Sequence, residues 1–350
     1  MIIDISLYRI GGRGGVEEAV YTVCKGLEKK GHRVRIFIEE KPSYEKFLSK
    51  FSEVYIYGNE TGKDGENLDD CSIRYAEILQ EIGLPNVTIA AHMPMQSYIC
   101  YKALKYCSDV SPLIISWIHS PLSFFTLNEP LRLCKGHLAI SSSVADEINQ
   151  VIGDGKVRIV GNPIELENID EVKRTKDKLR LLCIGRIDAY KNIKLLFSIL
   201  SKVNTDFELT VIGDGSLVPV LKLFSKTLGI EGKIKWLGWL DDPWSEVKEA
   251  SLLISTSIKE GFGLVIAEAL ARGIPVIATD SGGPKDFVNR SNGWLIKDFN
   301  EDECIEIINK IGKNILELPS AIKCKESIKR YESKKVIKEI EDFILEFIND

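Results

Sequence analysis

The chain has 350 residues, with 46 Lys and Arg against 51 Asp and Glu and a formal net charge of -5. This length exceeds one ordinary hydrophobic core and predicts two domains. Hydrophobic content of 44% and charged content of 28% are typical of a soluble globular protein. Neither half has the basic excess expected of a nucleic-acid-binding protein or of a strongly basic membrane-binding surface.

The eight cysteines contain no CxxC pair, so the spacing predicts neither a zinc site nor a thioredoxin-type motif. We expect reduced, mostly buried thiols in the cytoplasm. Residues 1–8 are predicted to form a strand rather than a secretory signal. No apolar run reaches the roughly 18 residues that would predict a membrane span.

Short apolar runs alternate with helical patterns, which is typical of parallel sheets in doubly wound α/β domains. The first series of predicted strands is 2–7, 34–38, 54–57, 87–91, 113–118 and 138–140. The second series is 181–184, 208–212, 234–237, 252–255 and 275–278. Residues 161–164 and the polar stretch 165–178 separate the two series and predict the linker. A helix is predicted at 334–348.

A glycine-rich loop at residues 11–15 follows the first strand and precedes a predicted helix. Its backbone could contact a phosphate, with Gly14 and Gly15 as the candidate residues. The dinucleotide-binding fingerprint is incomplete, because Glu17 stands where the third glycine belongs. Arg13 either reaches an anionic group or is solvated.

Two cations, Arg186 and Lys191, follow the first strand of the second series. Cations at such a strand end can bind a diphosphate and stabilise charge on a leaving nucleotide. The alternative is a pair of solvated loop residues. Asp188, between them, is expected to cap or brace the loop.

Gly213 and Trp239 mark the ends of the next two strands. The loop at Gly213 is either close to a bound ligand or a plain turn, and it too lacks a third glycine because Val218 stands there. Trp239 either stacks on a base or fills core.

The most informative segment runs from Glu260 to Glu268 and contains two carboxylates separated by a Gly-Phe-Gly turn and a helical pattern. The backbone N–H groups of Phe262, Gly263 and Leu264 are expected at a helix N-terminus, where an anion is favoured. Glu268 lies about one turn further and leans back toward that end. Both carboxylates could therefore reach one ligand that carries hydroxyls on either side of a phosphate, as nucleotide-sugars do.

The segment 252–288, together with the Gly-Arg…Lys segment 185–191, resembles the retaining glycosyltransferases of family 4, and the resemblance extends along nearly the whole chain. It implies the GT-B fold, an α/β arrangement of two doubly wound Rossmann-like domains that face each other across a cleft. Residues 1–163 would form the acceptor-side domain, and a C-terminal helix at about 330–350 would cross back onto it. Residues 164–329 would form the nucleotide-sugar-binding domain.

The resemblance also implies individual roles. Glu260 would bind sugar hydroxyls, Glu268 the ribose hydroxyls, and Arg186 and Lys191 the departing diphosphate. His119 ends a first-domain strand and would orient the transferred sugar or stabilise positive charge through its carbonyl group; the alternative is a hydrogen-bonded strand-end histidine.

Other implied contacts are made by the backbone around Gly14, Gly15 and Gly213 and by Trp239 at the base. Many relatives carry a glutamate shortly after the segment 281–284, where this chain has Lys285 and Asp286. That departure leaves the sugar-side contact open.

Three phrases, at 136–142, 236–244 and 281–286, look like lipopolysaccharide core 1,6-galactosyltransferases. We therefore expect a retaining hexosyltransferase that uses UDP-galactose in bacterial cell-surface polysaccharide or lipopolysaccharide synthesis. The UDP-sugar is the donor substrate, and neither a metal nor another cofactor is expected. The expected acceptor is a glycan or lipid-linked glycan. We expect a cytoplasmic protein, with peripheral contact to the inner face of the membrane left open and no nucleic-acid partner.

Other readings are a UDP-sugar 2-epimerase of the same fold and a non-catalytic partner of another glycosyltransferase. An epimerase needs acid and base residues beside the sugar, which the sequence does not identify. A non-catalytic partner should have lost the cations or the paired glutamates, and this chain keeps both. The incomplete glycine fingerprints disfavour an NAD-dependent oxidoreductase.

Overall fold

The computed structural model describes residues 1–8, 10–11, 14–58, 67–167, 169–174 and 178–349. Arg13 of the glycine-rich loop and part of the predicted linker (168 and 175–177) lie outside the described residues. The chain divides into two compact units. The first comprises Met1–Pro163 and Tyr331–Asp350, and the second comprises Ile164–Arg330.

The first unit is built on a parallel sheet in the order β3-β2-β1-β4-β5-β6-β7. Its strands are β1 (Ile2–Leu7), β2 (Arg33–Ile38), β3 (Val54–Ile56), β4 (Val87–His92), β5 (Ile114–Ile118), β6 (Gly136–Ala139) and β7 (Val157–Ile159). The helices that follow them are α1 (Gly15–Lys29), α2 (Leu68–Ile82), α3 (Met95–Cys107) and α4 (Ser142–Ile152). The central strands are buried along most of their length, as continuous Ile- and Val-rich runs require when helices cover both sheet faces.

Aromatic side chains fill part of the core between this sheet and helices α2 and α3. The rings of Phe37 and Tyr75 stack with centroids 4.2 Å apart, and Tyr57 stacks on Tyr75 at 5.2 Å. The hydroxyl of Tyr57 donates to the carbonyl of Leu7, 3.1 Å away. Full burial of one large apolar side chain contributes about 1.5–3 kcal/mol, so this cluster is a main source of stability in the unit.

The second unit contains a parallel sheet in the order β10-β9-β8-β11-β12-β13. Its strands are β8 (Leu179–Ile184), β9 (Phe207–Ile212), β10 (Ile234–Gly238), β11 (Leu252–Ser255), β12 (Val276–Thr279) and β13 (Gly293–Ile296). Its helices are α5 (Ile193–Ser201), α6 (Val218–Thr227), α7 (Leu264–Ala271), α8 (Glu301–Gly312) and α9 (Ala321–Ser327).

The last helix, α10 (Ser333–Ile348), packs on the first unit. A Cβ atom on Gly26 of α1 would overlap the side chain of Ile337, so glycine is what lets the two helices come this close. His32 Nε2 lies 2.8 Å from Glu341 Oε1, and Arg158 donates to Glu346 at 2.7 Å. The amphipathic pattern of the C-terminal segment is thus matched by a partner surface near the chain start.

Two parallel, doubly wound sheets confirm the predicted fold class. Two edge strands, β7 and β13, are missing from the prediction, because each is a short run in which apolar residues are interrupted by Arg158 or flanked by polar residues. Strand β6 begins at Gly136 rather than at residue 138. Within the described part of the chain, no helix is both long and apolar enough to cross a membrane.

Candidate functional site

Lys191 and Glu260 come together at the carboxyl edge of the second sheet. Lys191 follows β8, Glu260 follows β11, and these two strands are neighbours. Lys191 Nζ lies 2.5 Å from Glu260 Oε1, and the hydroxyl of Ser257 donates to the same oxygen at 2.7 Å. The Lys191 and Glu260 side chains are 28% and 15% exposed, so the pair is partly shielded from water but open on one side.

The position of this edge in the sheet is informative. The strand order reverses between β8 and β11, because β9 and β10 lie on one side of β8 while β11 to β13 lie on the other. In doubly wound sheets, ligands bind in the crevice outside the carboxyl ends of the strands at such a switch point. The Lys191–Glu260 pair lies at that point.

Neighbouring loops hold both side chains in place. The hydroxyl of Thr256 donates to the carbonyls of Lys191 (3.2 Å) and Asn192 (3.1 Å), which ties the two loops together. Glu260 N donates to the carbonyl of Ser281, and the N–H of Gly283 donates to the carbonyl of Glu260. Because these backbone bonds fix the residue on both sides, the carboxylate of Glu260 is set in one direction.

Arg186 and Asp188 form the second part of the loop after β8. Asp188 accepts from the backbone N–H of Lys191 at 3.1 Å and from Arg186 Nε at 2.6 Å. Asp188 therefore braces the loop, as predicted. The Arg186 side chain is 74% exposed, so this surface pair contributes little and the guanidinium can turn toward a ligand. Its contact with a diphosphate stays a prediction.

Helix α7 begins beside this cluster. Gly263 is its N-cap residue with φ of 90°, a conformation that favours glycine, and a Cβ there would meet Ile266 and Pro284. An α-helix leaves its first N–H groups without intrahelical partners, so the N–H groups of Leu264 and Val265 face out of the start of α7, whereas those of Ile266 and Ala267 donate to the carbonyl of Gly263. Phe262 is buried, and its ring packs against Phe287 at 5.2 Å.

Glu268 lies one turn into α7 and has a partner that the sequence analysis did not assign. Trp244 Nε1 donates to Glu268 Oε2 at 2.9 Å. The guanidinium of Arg272 lies 4.4 Å from the centroid of the same indole, and burial lowers the Arg272 pKa. The carboxylate is therefore oriented by an aromatic residue that is itself held by a cation.

Gly213 and Trp239 differ in their surroundings, since Gly213 lies in tight contact with another loop and Trp239 is exposed. A Cβ atom on Gly213 would overlap the carbonyl oxygen of Gly185, so glycine is required where the ends of β8 and β9 approach. Trp239 is 42% exposed, so the alternative of a core tryptophan is wrong. Its Nε1 donates to Asp241 Oδ1 in a long hydrogen bond of 3.4 Å.

His119 belongs to the first unit and follows β5. It is 6% exposed, its ring lies 4.2 Å from that of Trp117, and neither ring nitrogen has a hydrogen-bond partner among the described residues. The alternative of a hydrogen-bonded strand-end histidine stays open, because the side chain of Asn162 interacts with the ring and raises its pKa. Burial lowers the His119 pKa to about 3, with His92 adding to the decrease and Asn162 opposing it. The ring is neutral at physiological pH.

Gly14 and Gly15 open helix α1 in the first unit. Gly14 is the N-cap with φ of 136°, and Gly15 is the first helical residue. A Cβ atom on Gly14 would lie 3.1 Å from Glu17 Oε2, so a carboxylate already stands at this helix start. A phosphate at the same place would be repelled unless Glu17 turns away. Contact of these glycines with a phosphate stays a prediction.

Chemically, the second unit offers one anion-binding region and two carboxylates. The cations after β8 and the amides at the start of α7 suit a diphosphate, while Glu260 and Glu268 suit hydroxyl groups. Among the described residues, no group of three His, Cys, Asp or Glu side chains could hold a metal ion.

Sequence reasoning missed the contact of Ser257 with Glu260 and that of Trp244 with Glu268. Ser257 lies three residues before Glu260, and this short separation in sequence could have indicated the contact. Trp244 and Glu268 are 24 positions apart in sequence, and no local sequence pattern predicts their contact.

Comparison with known proteins places the chain in a family. Residues 165–330 match the family "Glycosyl transferases group 1", and residues 13–168 match "Glycosyltransferase Family 4". The two matches together run from residue 13 to residue 330. The chain belongs to the family-4 glycosyltransferases.

Individual relatives agree with this assignment. The lipopolysaccharide 1,6-galactosyltransferase of Salmonella typhimurium strain LT2 is 31% identical over 208 residues, which span 57% of this chain and 58% of that protein. The fold is similar to that of the lipopolysaccharide outer core galactosyltransferase WaaB in its apo form, with a TM-score of 0.87, 23% identity and coverage of 99% and 100%. It is also similar to Anabaena HepE in complex with UDP-glucose, with a TM-score of 0.81, 18% identity and coverage of 99% and 100%.

Proposed function

We propose that this protein is a retaining, metal-independent glycosyltransferase that moves a hexosyl unit from a UDP-sugar, with UDP-galactose as the first choice. The acceptor is a glycan or lipid-linked glycan in the synthesis of bacterial cell-surface polysaccharide or lipopolysaccharide. The observation that carries the proposal is the Lys191–Glu260 pair, held by Ser257 at the switch point of the second sheet.

The proposed mechanism assigns each group a task. The donor diphosphate lies on the amides at the start of α7 and takes Lys191 as its counter-charge, joined by Arg186. Release of Lys191 from Glu260 leaves that carboxylate to accept from hydroxyls of the sugar. Glu268 accepts from the ribose hydroxyls.

Transfer then follows front-face displacement. The bond between the anomeric carbon and the phosphate oxygen breaks, and Arg186 and Lys191 stabilise the negative charge on the departing diphosphate. The acceptor hydroxyl attacks the same face, and the leaving phosphate oxygen takes its proton. His119, a neutral ring in the first unit, orients the transferred sugar.

The choice of donor and pathway rests on relatives. The relative with 31% identity is a galactosyltransferase of lipopolysaccharide, and a structure with the same fold binds UDP-glucose. Galactose is therefore the leading sugar and glucose its nearest rival. We propose a cytoplasmic location, where UDP-sugars are made, with peripheral contact to the membrane that carries a lipid-linked acceptor.

The first experiment incubates the purified protein separately with UDP-galactose, UDP-glucose and UDP-N-acetylglucosamine, with and without EDTA, and follows UDP release. We expect slow release from UDP-galactose that EDTA leaves unchanged. Proton NMR of the first sugar released should show the α-anomer, because the donor is α-linked and the mechanism retains configuration. An epimerised UDP-sugar without UDP release would instead support the 2-epimerase, and UDP binding without any turnover would support a non-catalytic partner.

A variant pair tests the site itself. Lys191→Ala removes a charge that stabilises the leaving group, so donor turnover should fall about 100- to 1,000-fold. Lys202→Ala is the matched control, because Lys202 forms a similar ion pair with Glu301 at 2.6 Å elsewhere in the same unit. Turnover in Lys202→Ala should stay within about twofold of wild type. Equal turnover in both variants and wild type would remove Lys191 from the mechanism.

A further inference from the structure

His92, the last residue of β4, adopts a strained backbone conformation. Its φ is 78°, and the N–H of Met93 donates to the carbonyl of Ala91 at 3.1 Å, which closes a three-residue γ-turn around it. A γ-turn with positive φ is rare, and a non-glycine residue held in it is strained. Such strain persists where the surrounding structure and a function require it.

The side chain of His92 belongs to a group of buried polar atoms that lack partners. Among the described residues, His92 Nδ1 has no hydrogen-bond partner, and neither the ring nitrogens of His119 nor Asn162 Oδ1 makes a hydrogen bond of good geometry, although Asn162 lies close enough to His119 to raise its pKa. Each buried polar group left unsatisfied destabilises the folded protein, because it has lost its bonds to water. Several such atoms in one place indicate a ligand that supplies the missing bonds.

Strand pairing brings these residues to one edge of the first sheet. His92 pairs with Ile118 in the parallel register of β4 and β5, so His119 follows directly beside it. The ring of Phe125 meets the His92 ring edge to face at 6.3 Å. The strand order reverses between β1 and β4, so His92 ends a strand at the switch point, where doubly wound sheets bind ligands.

The chemistry of the group selects its ligand. Burial lowers the pKa of His92 to about 4 and that of His119 to about 3, so both rings are neutral near pH 7. A neutral imidazole offers one donor and one acceptor, and Asn162 Oδ1 adds an acceptor. Without a positive charge, this set suits hydroxyl groups, which donate and accept, better than phosphate or carboxylate.

We propose that His92, His119 and Asn162 form a binding site for a neutral sugar, in which His92 holds a hydroxyl group of the acceptor. This proposal rests on the proposed function, because it takes one of the two bound sugars to be the acceptor of the glycosyl transfer. His119 holds the transferred sugar, and the γ-turn presents the neighbouring His92 ring to the acceptor.

Imidazole NMR tests the site without requiring turnover. The chain has four histidines, so protein labelled with ¹³C at the imidazole ring gives a simple spectrum. Methyl α-galactoside, methyl α-glucoside and N-acetylglucosamine are titrated to about 200 mM, since single sugars bind in the millimolar range. Saturable shifts of the His92 and His119 resonances with at least one sugar are expected. His32 and His137 are the internal controls, because Glu341 and Ser116 already bind their rings.

Absence of a saturable shift at His92 with all three sugars, or an equal shift with sodium sulfate, would overturn the proposal. The His119 resonance also reports sugar binding in variants of His92. His92→Ala should raise the sugar dissociation constant measured at His119 at least tenfold. His92→Asn should retain more of the sugar affinity than His92→Ala, because asparagine tolerates positive φ and both donates and accepts hydrogen bonds. His32→Asn is the control and should leave the titration unchanged. Calorimetry with UDP on the wild type tests the proposed function separately. Sugar-dependent shifts without UDP binding would overturn the proposed function and leave the sugar site standing.

Discussion

At the residue scale, Trp244 and Glu268 form a directed side-chain contact in the second unit. The indole N–H fixes one carboxylate oxygen, and Arg272 packs on the indole face. An oriented carboxylate loses less freedom when a ligand binds, so a residue that never touches the ligand can raise affinity. We assign Trp244 this positioning role toward the proposed ribose contact of Glu268.

Trp244→Phe keeps an aromatic ring under Arg272 and removes only the N–H donor. We expect the dissociation constant for UDP, measured by calorimetry, to rise about tenfold, which equals about 1.4 kcal/mol. The matched control is Trp236→Phe, since Trp236 packs edge to face on Phe197 in the core and does not contact Glu268. If UDP affinity were the same in both variants, Glu268 would either not bind the ribose or not need Trp244.

A buried ion pair joins β1 and β2 at the element scale. Asp4 and Arg35 are register partners with side chains 0% exposed, and Arg35 donates to Asp4 at 2.6 and 2.9 Å. A third bond runs from Arg35 to the carbonyl of Gly83 beyond α2. Burial raises the Asp4 pKa to about 6, although Arg35 lowers it. The pair therefore specifies strand register at a considerable desolvation cost.

Arg35→Met should lower the free energy of unfolding by about 3–5 kcal/mol, because it leaves Asp4 buried without its partner. Adding Asp4→Leu should restore most of that loss, since an apolar pair removes the uncompensated charge. Arg33→Met, which breaks an exposed pair with Glu53, should leave the free energy of unfolding nearly unchanged. Urea titrations of the four proteins measure these differences, and a double variant as unstable as Arg35→Met would contradict the argument.

Three buried histidines couple the stability of the whole molecule to pH. Burial lowers the pKa of His92 and His137 to about 4 and that of His119 to about 3. The unfolded chain, with histidine pKa values near 6.5, then binds more protons than the folded chain at mildly acid pH. The stability that these histidines contribute is fully present above about pH 6.5. It is lost as the pH falls toward their pKa values in the folded state.

At pH 5 each of these histidines should cost about 2 kcal/mol relative to pH 8, since one pKa unit corresponds to about 1.36 kcal/mol. Asp4 opposes this by about 1.4 kcal/mol, because its pKa is higher in the folded state. We expect a net loss of about 5 kcal/mol in the free energy of unfolding, measured by urea titration at pH 5 and pH 8. His137→Asn removes one titrating ring outside the proposed sites and should reduce the loss by about 2 kcal/mol. An unchanged loss in that variant would assign the pH dependence to other groups.

Much of the fold could be predicted because its signals are local. Apolar runs, the glycines at strand ends and the helical pattern after Gly263 each lie within about a dozen residues, which is the range over which periodicity acts. The edge strands β7 and β13 were missed because each has only three or four residues, too few for an apolar pattern to be recognised. The paired glutamates were found for the same reason, since both lie in one loop and helix.

The sequence by itself determined two doubly wound α/β domains, the family, and the segments at the carboxyl ends of the strands that carry the candidate site. Only the tertiary structure decided that Lys191 meets Glu260, that Trp244 holds Glu268, and that His92 stands strained beside His119 with its nitrogen unpaired. These contacts join residues from 24 to 69 positions apart. Which side chains meet at a strand end depends on sheet order and register, and these are set by the packing of the whole unit rather than by any local pattern.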